Sequence, residues 1–168
     1  WRKGGDRCYA IVGENQYHTI LGRSPCVAVH PSDPAVALLA LDAAVRIDGP
    51  QGRRMVPLAD FYRAPSRDDQ MDDGYHPVTD LAQDELITAV VVPTPADGSR
   101  SVYVKKMERG AWDFALVSVA ISLVVGDDGS VASVRVALGG VANIPWRASG
   151  AESALDGQPL TTATIEAA

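Results

Sequence analysis

One stretch constrains this chain more than any other. His30-Pro31-Ser32-Asp33-Pro34 gathers helix-start signals, and Ala35-Val36-Ala37-Leu38-Leu39-Ala40-Leu41-Asp42-Ala43-Ala44 follows. Ser32 suits an N-cap, Asp33 suits the positive end of a helix, and Pro34 is tolerated in the first turn. The helix expected over 35–44 is apolar on nearly every side, so other elements must cover it all round. The chain has 168 residues, enough for one domain or two small ones, and 46% are hydrophobic, so a core of that kind is attainable.

Around this helix the pattern is mostly strand. Val27-Ala28-Val29 reads as a short strand before it. Val45-Arg46-Ile47, the turn residues Asp48-Gly49-Pro50-Gln51-Gly52, and Arg54-Met55-Val56-Pro57-Leu58 read as a hairpin after it. Residues 63–80 are rich in Asp, Pro, Arg and Ser and read as a long loop or boundary. Glu85 to Val92 is a β-branched run. Ser101 to Lys106 alternates, with Ser101, Tyr103 and Lys105 on one face and Val102 and Val104 on the other. A helical turn is expected over Ala111–Val117. A hairpin is expected from Val119–Val125 and Val131–Leu138, joined by Gly126-Asp127-Asp128-Gly129-Ser130 and ended by Gly139-Gly140 and Pro145. A helix is expected over Ala148–Leu155. Residues 1–20, with Lys3-Gly4-Gly5-Asp6, read as loop. Thr161 to Ala168 reads as a helix start with Thr162 as cap and Glu166 in the first turns. The chain begins at Trp1 and stops within that helix start, and both ends read as truncated. The expected class is α+β, with a buried helix and hairpin over 1–62, a loop or linker over 63–82, and an antiparallel sheet with helices on one side over 83–168.

The chemistry-bearing residues narrow the function. The net charge of −6 argues against a nucleic-acid partner. No apolar run is long enough to span a bilayer. Neither a G-x-x-x-x-G-K-[ST] loop nor a G-x-G-x-x-G fingerprint is present, and G-x-S-x-G and H-E-x-x-H are also absent. The histidines His18, His30 and His76 are far apart and read as loop or satisfied surface residues. Asp68, Asp69, Asp72 and Asp73 read as a solvated charge run. Two features rise above this background. Ser32-Asp33 at the mouth of the helix joins hydroxyl, carboxylate and backbone N–H groups, a place that can hold a phosphate or ribose hydroxyls as well as simply cap the helix. Lys105, followed by Arg109, Trp112 and Asp113, sits where a large anionic or electron-rich ligand can meet it, or is an ordinary strand lysine. Of the two cysteines, Cys8 and Cys26, neither fits a structural zinc spacing.

A collinear set of segments resembles a known family. It comprises Gly13-Glu14-Asn15-Gln16-Tyr17-His18, Ile20-Leu21-Gly22, Cys26 through Asp33, Ala37 through Ala43, and Pro57-Leu58-Ala59-Asp60-Phe61-Tyr62. It continues with Asp84 through Thr88, Tyr103-Val104-Lys105, Trp112 through Ser118, Val136 through Val141, and Pro145-Trp146-Arg147. In this order they resemble the FAD-binding (medium) subunit of molybdenum hydroxylases, the xanthine, aldehyde and carbon monoxide dehydrogenase type, nearest the aldehyde dehydrogenase branch with a cysteine-rich insert. The resemblance implies the second half of a flavin-binding domain followed by the C-terminal domain of that subunit, with the glycine-rich pyrophosphate loop belonging upstream of Trp1. It implies FAD as cofactor, with Ser32 and Asp33 at its phosphate–ribose region, Ile87 against the isoalloxazine ring and Lys105 near the flavin's polar edge. It implies partners, a large subunit with a molybdenum cofactor and a small subunit with [2Fe–2S] clusters. It further implies Cys8 as the last ligand of a [4Fe–4S] cluster, while Cys26 reads as an ordinary structural cysteine. The complex would be cytoplasmic, or exported to the periplasm with a partner's signal. The competing expectation is an interaction module, or inactive fragment, with no cofactor of its own.

Overall fold

The computed structural model describes residues 8–22, 24–66 and 76–168. The expected loop character of Lys3-Gly4-Gly5-Asp6 and the Asp68, Asp69, Asp72 and Asp73 cluster lie outside those residues. The chain opens with a short 3-10 helix, Tyr9–Val12. Helix α1 then runs Asp33–Ala40, followed by strands β1 (Ala44–Gly49) and β2 (Gly52–Pro57). A single-turn helix α2 (Leu58–Phe61) comes next, then β3 (Leu86–Val91). Strands β4 (Arg100–Lys106), β5 (Val117–Val125), β6 (Val131–Gly139) and β7 (Trp146–Arg147) follow. Helices α3 (Ser149–Leu155) and α4 (Thr162–Ala167) complete the order. The class is α+β, as the sequence predicts.

Two antiparallel sheets result, ordered β2-β1-β3 and β4-β5-β6-β7. The β1–β2 hairpin and the β5–β6 hairpin form as expected, each from strand-prone runs bounded by turn residues. Strand β3 pairs with β1, with Ile87 opposite Ile47. Strand β3 thus completes the first sheet, and the second sheet starts with β4.

Helix α1 is the element both sheets share. No side chain from Ala35 to Ala40 is exposed, and Val36 and Leu39 are almost fully buried. One core cluster joins Val36, Leu39 and Ala40 to Val45, Ile47 and Val56 of the first sheet and to Ala120 and Ala137 of the second. Burying a Val or Leu side chain contributes about 2 kcal/mol. The second sheet meets α1 with small residues. A Cβ on Gly139 would stand 2.7 Å from Val36 and 2.4 Å from Ser118 Oγ, so only glycine lets the helix settle there. On the sheet's other face a second cluster joins Val131, Val134 and Val136 to Ala148 and Leu155, so α3 covers that side, and α4 packs on α3.

Several local expectations are corrected. The helix ends at Ala40 rather than Ala44. Asp42 takes a left-handed φ of 50°. The Ala43 N–H reaches Leu38 O at 3.0 Å and the Asp42 N–H reaches Leu39 O at 3.2 Å, a Schellman closure. The Asp42 carboxylate accepts from Arg135 at 2.7 Å and Arg147 at 2.9 Å, tying the helix end to β6 and β7. Residues 27–29 are not a strand. The Cys26 and Ala28 carbonyls accept from the Asn143 amide at 2.9 and 2.7 Å, and the Val27 carbonyl accepts from the Thr19 N–H at 3.0 Å, so no strand ladder forms. No helical turn forms over 111–117, because Trp112 adopts φ 54° and the Asp113 carboxylate accepts from the Arg109 and Phe114 N–H groups. Thr161, not Thr162, caps α4. His76 is buried, bonded through Nδ1 to Ser66 O at 2.8 Å, and is not a surface residue.

Two outcomes follow from this packing. Gly139→Ala should cost about 2 kcal/mol through overpacking against Val36 and Ser118, lowering Tm by about 6 °C in thermal unfolding followed by circular dichroism. Glu85 receives a bidentate pair from Arg54, both bonds 2.7 Å, with a further hydrogen bond from the Ala82 N–H. The Arg54 guanidinium holds its carboxyl at about 2, below the ordinary 4.5. A depressed folded pKa means that this contribution is present above the ordinary value and is lost as pH falls through about 2. Urea melts across that window should show a shallower acid dependence in Glu85→Gln than in the parent.

Candidate functional site

The site is built where the start of α1 meets the end of β4. Ser32 is extended, at φ −86° and ψ 108°, and its Oγ accepts from the Ala35 N–H at 3.2 Å. This is the cap that the sequence predicts. Asp33 opens the helix, and its carboxylate meets Lys105 Nζ at 2.6 Å. The same ammonium donates to the Asp113 carbonyl at 2.6 Å. The Lys105 side chain is 17% exposed and that of Asp33 35%. An ammonium so far removed from water needs such acceptors. Burial disfavours the Asp33 anion, but the Lys105 ammonium, with the Tyr103 hydroxyl nearby, outweighs it and holds the carboxyl below the usual range.

Alternation along β4 explains which residues look inward. Tyr103 and Lys105 face α1, while Val102 and Val104 are more than half exposed on the opposite face. Across the sheet Lys105 stands opposite Ser118, and Ser118 opposite Gly139. Ser118 is 2% exposed, and neither its hydroxyl nor that of Tyr103 has an aligned hydrogen-bond partner.

The loop after β4 is shaped by the lysine. Lys105 fixes the Asp113 carbonyl, the Leu116 N–H returns to Lys106 O, and Arg109 donates to Trp112 O. Trp112 itself is 97% exposed and stands away from the packed layer. Tyr17 donates to Glu108 at 2.5 Å, bringing the loop before α1 against this one.

Of the residues singled out in the sequence, Ser32, Asp33 and Lys105 come together. Ile87 lies on β3 of the other sheet, beside Ile47 at the sheet edge. Cys8 is half-buried and Cys26 buried, both with free thiols. Among the described residues no three His, Cys, Asp or Glu side chains gather as a metal site. Tyr103, Ser118 and the Asp113 carbonyl were not singled out. The period-two pattern did place Tyr103 on the Lys105 face, but nothing local signalled Ser118.

Comparison with known proteins meets this geometry. Residues 15–95 match the FAD-binding domain in molybdopterin dehydrogenase, and residues 102–168 match the CO dehydrogenase flavoprotein C-terminal domain. Asp33 falls in the first match and Lys105 in the second. The chain is 42% identical over 156 residues to the aldehyde oxidoreductase FAD-binding subunit of Escherichia coli, covering 92% of this chain and 45% of that one. It is 34% identical over 137 residues to the glyceraldehyde dehydrogenase medium chain of Sulfolobus acidocaldarius, covering 79% and 44%. A solved carbon monoxide dehydrogenase from Hydrogenophaga pseudoflava superimposes with a TM-score of 0.70 at 28% identity, over 82% of this chain and 43% of that one. The chain belongs to the FAD-binding subunits of the molybdenum hydroxylases. It spans less than half the length of these relatives.

Proposed function

We propose that this chain forms part of the flavin site in an electron-transfer subunit of a molybdenum hydroxylase complex. The observation that carries the reading is the contact of Asp33, at the capped start of α1, with Lys105 at the end of β4. FAD, when bound, would supply redox chemistry, linking the [2Fe–2S] small subunit and the molybdenum-cofactor large subunit of such a complex to an electron acceptor. The donor set fits that group. Ser32 and the α1 N-terminus would suit a phosphate, Asp33 would accept from ribose hydroxyls, and the edge position of Ile87 would offer an apolar flank for a ring. Lys105 brings positive charge to a partly desolvated place, where it stabilises an anionic ring edge.

Rather than over 63–82, we set the division between the flavin-binding and C-terminal parts in the loop before β4, a reading supported by β3 joining the first sheet and by family matches that cover 15–95 and 102–168. Among the described residues no helix is long and apolar enough to cross a membrane. We propose a cytoplasmic complex, with export beside a signal-bearing partner as the alternative. An iron–sulfur cluster takes about four thiolates, and two cysteines do not make that set. Cys8 therefore enters only as one ligand among others supplied from outside this sequence. The exposed valines of β4 favour a second reading, an interaction module that buries this face against a neighbouring subunit.

Fluorescence titration of the bare chain with FAD should give no micromolar complex. In the subunit expressed from the complete gene, Lys105→Met should lower the flavin midpoint potential by about 30 mV, since loss of a nearby positive charge disfavours the reduced anion. A purified subunit that carries no flavin would favour the interaction module instead. Cys8→Ser in that subunit should reduce the iron content per chain, and unchanged iron would remove Cys8 from the ligand set.

A further inference from the structure

Two buried hydroxyls lie in the layer that holds Asp33 and Lys105. Tyr103 and Lys105 are two residues apart on the same face of β4, and Ser118 is opposite Lys105 on β5. The Tyr103 hydroxyl sits beside both Ser118 Oγ and the Asp33 carboxylate. Neither hydroxyl completes an aligned hydrogen bond. The Asp33 carboxylate turns instead to Lys105, at 2.6 Å. Buried polar groups are almost always paired in folded proteins. Orphaned hydroxyls next to a carboxylate therefore mark a second arrangement in which the bond is made. A cleft between α1 and β4, lined by Ala37, Ala40, Leu41 and Ala120, flanks the tyrosine ring and gives it room to turn.

We propose that Asp33 exchanges partners between Lys105 and Tyr103. In the arrangement seen here it binds Lys105. When an anionic group draws the ammonium away, the Tyr103 hydroxyl, backed by Ser118, donates to Asp33 and keeps the carboxylate at the helix N-terminus. Only hydrogen bonds change, and no proton is transferred. The exchange lets Lys105 give its full charge to a ligand without stranding a partly buried carboxylate. Tyr103 is a positioning residue, because it acts through Asp33. The inference rests on the flavin reading for the identity of the anion, the phosphate or the polar ring edge of FAD.

A double-mutant cycle in the flavin-free chain tests the exchange without requiring a ligand. Lys105→Met removes the competing donor. Tyr103→Phe should leave Tm within about 1 °C of the parent but lower it by about 3 °C in the Lys105→Met background, where the hydroxyl has taken Asp33. Ser118→Ala should follow the same pattern. Equal effects in both backgrounds overturn the proposal. If Lys105→Met does not fold, the FAD affinity of Tyr103→Phe in the complete subunit decides. A dissociation constant about tenfold weaker supports the exchange, and an unchanged one overturns it. A wild-type subunit that takes no FAD removes the flavin reading, while the cycle in the bare chain still judges the exchange.

Discussion

Everything in this structure depends on covering α1 from all sides. A helix with no polar stripe cannot lie on a surface, so two sheets close over it. The first sheet supplies Val45, Ile47 and Val56, and the second supplies Ala120 and Ala137. The second contact is close because Gly139 has no side chain to hold Val36 away. Both ends of the helix are then fixed by charge. Asp33 at its start meets Lys105, and Asp42 just past its end meets Arg135 and Arg147. One buried cylinder, pinned at each end to the second sheet, makes the two family-matched segments a joint structure.

The candidate site is a consequence of that clamp. Ser32 and Asp33 would be an ordinary helix cap, and Lys105 an ordinary strand lysine, if the helix did not lie on β5 and β6 with its start beside the end of β4. Packing makes them a pair in which a largely buried ammonium is shared between a carboxylate and the Asp113 carbonyl. The same lysine shapes the loop that follows, so its position and the course of residues 107–116 are linked. Low water content beneath the helix strengthens each of these interactions, and it makes the two unpartnered hydroxyls beside them costly.

Local signals were legible where local physics decides the outcome. Ser32-Asp33-Pro34 starts the helix because the cap, the charge and the proline each act within one turn. The two hairpins and the strand with Tyr103 and Lys105 on one face follow from turn residues and period-two alternation. The failures are of another kind. The helix was expected to continue through Asp42, an acceptable helical residue by propensity. It stops because two arginines more than 90 residues away hold that carboxylate in a left-handed turn. Val27-Ala28-Val29 has the composition of a strand but finds the Asn143 amide instead of a strand edge. Trp112 sits in a left-handed conformation that its own propensity disfavours.

The sequence by itself determined the start of α1, the two hairpins, the inward-facing residues of β4 and the family resemblance, because these rest on short-range pattern and on the order of motifs. The tertiary structure alone decided that β3 joins β1, that Asp33 meets a lysine 72 residues away, and that Tyr103 and Ser118 lie buried beside them. Such pairings depend on which surfaces can approach closely enough to exclude water. That is a property of the whole packed core around α1 and of no single stretch of the chain.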